Sequence, residues 1–135
     1  MSNKTTLQEA FPNVDPGAQP LGARVLVQLR TVKTTSAGGI VLVEESRETE
    51  KWNTQVARIV ALGPLAFHNR STNQPWPEGV WANVDDFVRV PRWGGDRWEV
   101  SVEGQKEPAL FVIFNDHELI AKITGDPLAV KAFLL

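Results

Sequence analysis

The sequence predicts a small all-β fold, a β-barrel built from short strands. Three observations carry this reading. Short β-rich runs recur at close spacing along the chain. Clusters of Gly, Pro and Asn break the chain between them, and only Pro127 to Leu135 has the composition of a helix. Strands this short, separated by turn residues, are the pattern of a barrel or sandwich.

The elements follow in order. Residues 1–19 carry Pro12, Pro16 and Gly17 among polar neighbours without a sustained period, and read as an N-terminal extension ahead of the domain, with Leu7 and Phe11 available for local packing. Arg24 to Val32 is a strand with Val25, Val27 and Leu29 on one face and a mixed second face of Leu26 and Gln28. Lys33 to Gly39 is polar and ends in Gly38-Gly39, where order is expected to be lost. Ile40-Val41-Leu42-Val43 follows, and then Glu44 to Lys51, eight residues of which six are charged. Thr54 to Leu62 is the next strand, stopped by Gly63-Pro64. Residues 64–83 hold Pro75, Pro77 and Gly79 with several Asn, Ser and Thr, and read as a long hairpin. Further strands are expected at Asp86 to Val90, Trp98 to Val102, Phe111 to Phe114 and Glu118 to Ile123, with residues 126–135 as a C-terminal tail.

Composition bounds the function. With 135 residues and 42% hydrophobic residues the chain can bury one core of ordinary size. A net charge of −2, with basic residues scattered, offers no field for a phosphate backbone, so nucleic acid is not the expected partner. The absence of cysteine removes disulfides and thiolate metal sites and suits a reducing cytoplasm. No run reaches the ~18 apolar residues of a membrane span, and none has the form of a signal peptide.

No catalytic constellation is legible, and neither a cofactor nor a metal is expected. His68 and His117 lie far apart with no carboxylate pair at ligand spacing. Asp85-Asp86 points its side chains to opposite sides if extended and reads as the end of a loop. Asn115-Asp116-His117 has no partnering nucleophile and reads as turn chemistry. Gly38-Gly39 and Gly94-Gly95 fit neither a phosphate loop nor a dinucleotide fingerprint. The five tryptophans, at 52, 76, 81, 93 and 98, read as core, loop anchors or subunit contacts rather than as a stacking surface for sugars or bases.

Ser36-Ala37-Gly38-Gly39-Ile40-Val41-Leu42 is the segment that points to function. A four-residue apolar run is most often a core strand. Here Gly-Gly on one side and a charged stretch on the other discourage deep burial. The alternative is an anchor of large aliphatic side chains on a tether.

Pro20-Leu21, Arg24-Val25-Leu26-Val27 and Ser36 to Leu42, in this order and separation, resemble the opening strand and mobile loop of the GroES family of co-chaperonins. Val60-Ala61-Leu62-Gly63, Val84-Asp85-Asp86-Phe87-Val88 and Leu119-Ile120-Ala121 are similar to its next strand, its Val-Gly-Asp strand entry and its closing strand. The resemblance spans residues 20–125. It implies a GroES-like β-barrel subunit with a mobile loop at about 33–51 and a roof hairpin at about 64–83. It also implies a sevenfold homo-oligomeric ring that closes the chamber of an ATP- or ADP-bound GroEL-type chaperonin over a folding client. Ile40, Val41 and Leu42 then enter an apolar groove of the partner, while Ser36, Ala37, Gly38 and Gly39 form the hinge and flank. Gly22-Ala23, Trp93-Gly94-Gly95, the charged stretch after Leu42, the 1–19 arm, Ser101 to Leu110 and the tail after Gly125 depart from the family pattern. Such additions fit a bacteriophage copy acting in a host cytoplasm on a bulky capsid protein.

The energetics of such an anchor are consistent. Burying each aliphatic side chain contributes ~1.5–3 kcal/mol, whereas ordering a tether costs ~2–5 kcal/mol. One arm binds weakly, and several on one ring gain ~10²–10⁴ in avidity. Two other readings exist: a β-barrel structural or virion-assembly accessory protein with a different partner, and a ligand-binding barrel of the kind found in zinc-dependent alcohol dehydrogenases. The missing cysteines and nucleotide-binding half oppose the latter.

Overall fold

A computed structural model of the chain describes residues 7–31, 55–91 and 93–128. The expected all-β fold is the one the chain adopts. One short helical turn, α1 (Leu7–Ala10), precedes six strands: β1 (Arg24–Leu29), β2 (Val56–Leu62), β3 (Phe87–Arg89), β4 (Asp96–Val100), β5 (Ala109–Asn115) and β6 (Ala121–Lys122). They form one sheet in the order β4-β5-β1-β2-β3-β6, and every neighbouring pair is antiparallel. β1 and β5 pair from Arg24↔Asn115 to Leu29↔Leu110 without a break. Between β1 and β2 the register steps at Leu26/Val27, so that Val60 is the extra residue of a bulge. Such a bulge bends the strand and increases its twist.

The period-two pattern of β1 decides which side chains meet. Val25, Val27 and Leu29 join Ala57, Ile59, Val88, Leu110, Val112 and Phe114 in the main core, which Ala66, Phe67 and Ala82 complete from the long connection between β2 and β3. The second face of β1 is mixed in chemistry, as expected, and its Leu26 and Gln28 are also fully buried. Leu26 packs with Ala109 and Phe111, and Val14, Val60 and Trp98 close over them. Part of the cover, Val14, comes from the N-terminal segment. Gln28 Nε2 donates to the Pro12 carbonyl at 2.8 Å, and Trp98 Nε1 to the Pro16 carbonyl at 2.8 Å. A buried amide is stable only with partners, and the Gln28 oxygen finds a second one in Arg58 Nη2 at 2.9 Å.

The strand limits differ from the sequence expectation, by one to three residues at the ends of β1, β2 and β3 and more instructively in the last three strands. β4 begins two residues earlier than Trp98, at Asp96, because its ladder to β5 starts at Asp96↔Ile113. β5 extends beyond Phe111 to Phe114 at both ends, to Ala109 and Asn115. The strand expected over Glu118 to Ile123 is reduced to Ala121–Lys122. Its first residue, Glu118, belongs to a 3-10 turn at Asp116–Glu118, where the Glu118 carboxylate accepts the Asn115 amide hydrogen at 2.8 Å. A capping box satisfies donors that a longer strand would have had to pair.

Of the tryptophans, Trp76 and Trp81 pack against the main core, Trp98 stacks on Phe111 with ring centroids 5.9 Å apart, and Trp93 is 66% exposed. Trp52 lies outside the described residues, as does the helix-capable stretch from residue 129 onward.

Candidate functional site

The expected anchor, Ile40, Val41 and Leu42, and its expected hinge and flank, Ser36, Ala37, Gly38 and Gly39, lie outside the described residues. What the structure does place is the frame from which they depart. β1 ends at Leu29 and β2 begins at Val56, on adjacent antiparallel strands with Leu29 opposite Ala57. Beyond the ladder, the Arg30 amide donates to the Val56 carbonyl at 3.3 Å, and Val90 N–H holds the Gln55 carbonyl at 2.9 Å. Thr31 and Gln55, the last described residues on either side of 32–54, are thus set side by side at one end of the sheet.

Both sides of this frame are braced by chain ends. The Thr31 amide donates to the Ala10 carbonyl at 2.8 Å. Arg30 Nη1 reaches the Leu128 carbonyl at 3.2 Å. Ala10, Phe11 and Val56 form a small buried cluster with Phe87, Ile123 and Leu128 packed against it, and the rings of Phe11 and Phe87 meet edge to face at 5.1 Å. Nothing in the Pro-interrupted sequence around Phe11 marked it as a partner of β2. Its aromatic side chain in a polar stretch was the only signal.

The other end of the β1–β2 pair carries the connection over residues 64–83. A six-residue strand rises about 20 Å, so this end is well separated from Thr31 and Gln55. The Gly63 amide donates to the Arg24 carbonyl at 2.8 Å and the Leu65 amide to the Gly22 carbonyl at 2.9 Å, which turns the chain out of β2. A hairpin then forms, with His68 bridged antiparallel to Pro75 and the Asn69 amide bonded to the Gln74 carbonyl at 2.8 Å. Its tip, residues 70–75, is exposed, while Phe67 at its base is 1% exposed and lies 5.2 Å from the Trp81 ring.

Phe67 adopts φ 64°, a conformation that costs a residue with a side chain. Asp116, buried, holds it there: its carboxylate accepts the Phe67 amide hydrogen at 2.7 Å. Sequence reading identified Asn115-Asp116 as a turn but not this long-range role. Asp116→Ala is expected to destabilise the fold by about 1–3 kcal/mol, the cost of a buried donor left without its acceptor. Asp116→Asn keeps an oxygen for the bond and should lose less, as urea unfolding of the two variants will show.

Asp85, expected to end a loop, does so with φ 77° and an ion pair to Arg58 at 2.7 Å. The Asn83 amide hydrogen bond holds the Asp86 carboxyl below its ordinary value, against the opposing effect of burial and with help from Lys122 at 3.3 Å. His68 Nδ1 lies 2.8 Å from the Ala66 carbonyl, while His117 stands beside Asp116 at 3.7 Å. Among the described residues no three His, Asp or Glu side chains come together as a metal site would require, and no helix is long and apolar enough to cross a membrane.

Comparison with known proteins agrees with this geometry. The family model of the chaperonin 10 Kd subunit matches residues 17–123. A co-chaperonin GroES of Methylacidiphilum infernorum is 29% identical over 112 residues, which is 83% of this chain and 99% of that protein. The co-chaperonin GroES of Tetragenococcus halophilus is 31% identical over 103 residues, 76% of this chain and 95% of the relative. That of Corynebacterium jeikeium is 30% identical over 112 residues, 83% and 91% of the two chains. An all-β sheet with the β1 and β2 ends side by side, and a family match over most of its length, make this chain a member of the chaperonin 10 Kd subunit family.

Proposed function

We propose that the chain is a co-chaperonin: one subunit of a ring that acts in the cytoplasm as the lid of a GroEL-type chaperonin and leaves ATP hydrolysis to its partner. The observation that carries this reading is the placement of the two long connections. Residues 32–54, with the Ile40-Val41-Leu42 anchor, depart from one end of the β1–β2 pair, and the 64–83 hairpin occupies the other. A lid needs this polarity, with docking segments toward the chamber and a roof away from it.

The sheet also suits a ring. Its two edges are β4 and β6, and a contact between unlike edges of successive copies is heterologous, which closes a ring when the rotation permits. Ile120, beside β6, is 58% exposed and available for such a contact. The weak grip of each single anchor then becomes useful, because arms on one ring bind together by avidity and release together when the partner changes state.

The test is sedimentation of the native protein alone and with a GroEL-type chaperonin, with and without ATP or ADP. A multi-subunit ring that joins the chaperonin only in the presence of nucleotide is expected. A monomer, or a ring that ignores the chaperonin in every nucleotide state, removes the proposal.

A further inference from the structure

The family match begins at residue 17 and ends at residue 123, yet the segments on either side of it do not trail away from the fold. Both converge on one place. Before the match, the Ala10 carbonyl accepts the Thr31 amide at 2.8 Å, Phe11 is 5% exposed against Phe87 and Val56, and the Pro12 carbonyl accepts from buried Gln28 at 2.8 Å. After it, Leu128 packs on the same cluster, and its carbonyl accepts from Arg30 Nη1 at 3.2 Å. Residues 30, 31 and 56 are therefore gripped by groups that lie outside the matched region.

We infer that these terminal additions form a clamp on the ends of β1 and β2, with Phe11 and Arg30 as positioning residues that set how the 32–54 segment is presented to its partner. The inference rests on the docking function proposed above. The physical reason is preorganisation. A strand end free to fray must be ordered when the segment beyond it docks, and that ordering is subtracted from the affinity. Backbone hydrogen bonds at strand termini are the ones that open most readily. Here Thr31 is tied by its amide and Arg30 by its guanidinium, so this ordering is completed at folding. Fixing two ends that stand side by side also limits the directions in which an arm can leave. Arms held in one direction on every subunit reach their sites together, and that is the condition for avidity.

Phe11→Ala and, as a milder variant on the C-terminal side, Arg30→Met test the clamp. Asp116→Ala serves as the matched control, because it weakens the opposite end of the sheet. Ring mass, thermal midpoint, chaperonin affinity with ADP, and hydrogen exchange at the Thr31 and Val56 amides are measured for each. Both clamp variants are expected to keep the ring, to speed exchange at Thr31 by about tenfold, and to weaken chaperonin binding by about tenfold or more. Asp116→Ala, at an equal or greater loss of thermal midpoint, should leave affinity unchanged. Equal affinities for wild type, Phe11→Ala and Arg30→Met would overturn the inference, as would an equal affinity loss in the control. Should the wild-type protein bind no chaperonin at all, the docking function is what fails. The exchange readout then decides the clamp by itself: acceleration at Thr31 in both variants upholds it, and unchanged exchange overturns it.

Discussion

Replacing Ile40, Val41 and Leu42 together by serine is expected to abolish nucleotide-dependent binding to a chaperonin while the ring remains assembled. Each aliphatic side chain buried in a groove contributes ~1.5–3 kcal/mol. Removing all three takes away roughly 4.5–9 kcal/mol, which matches or exceeds the ~2–5 kcal/mol that ordering a tether costs. An arm without its anchor has no net reason to dock. Because arms on a ring act jointly, the loss should exceed a hundredfold and read as no binding in a sedimentation experiment. Single substitutions such as Val41→Ala should produce intermediate losses, and native mass with the thermal midpoint will separate a docking defect from a folding defect.

The second large effect is expected at Gly63, the residue that turns the chain out of β2. Its amide hydrogen bonds to the Arg24 carbonyl, and a Cβ at this position would collide with the carbonyl oxygens of Gly22 and Arg24, the latter at 2.8 Å. Both obstacles are backbone, so no side chain can swing aside. Overpacking usually costs about 1–3 kcal/mol, and a clash with two strand-end carbonyls belongs at or above the top of that range. Gly63→Ala should therefore lower the urea midpoint strongly or prevent folding. Gly125→Ala is the control, since a Cβ there meets nothing within 4 Å. A Gly63→Ala variant as stable as wild type would mean that the approach of β1 and β2 at this end is looser than described.

The strands were legible where apolar residues run on to a clear stop. In β2, the buried Val56, Ala57 and Ile59 stand in an apolar run that only Arg58 interrupts and that Gly63-Pro64 stops, so its pattern survives in the sequence. The second face of β1 was read as mixed because Gln28 stands beside Leu26 on it, and that reading left the burial of Gln28 open. It is buried because the Pro12 carbonyl and the Arg58 guanidinium satisfy it, and neither partner has any sequence signature. β6 was read too long because a hydrophobic run cannot reveal that Asn115 and Glu118 will cap a 3-10 turn in front of it. The grip of Ala10, Phe11 and Leu128 on the ends of β1 and β2 was invisible for a related reason. It joins residues as far apart as Arg30 and Leu128, and short-range periodicity carries no information over that separation. The anchor reading of Ile40, Val41 and Leu42 draws on their neighbours, Gly38-Gly39 and the charged residues after Val43, together with the family resemblance, and these residues lie outside the described ones.

The function proposed above places docking in residues 36–42. Hydrogen exchange of the ring, free and in complex with an ADP-bound chaperonin, measures this directly. Strong new protection confined to residues 36–42 and their immediate flanks, with β4, β6 and the 67–76 hairpin unchanged, is the predicted result. A stable complex in which 36–42 exchange as fast as in the free ring, with protection gained instead on the hairpin or a sheet edge, would contradict it.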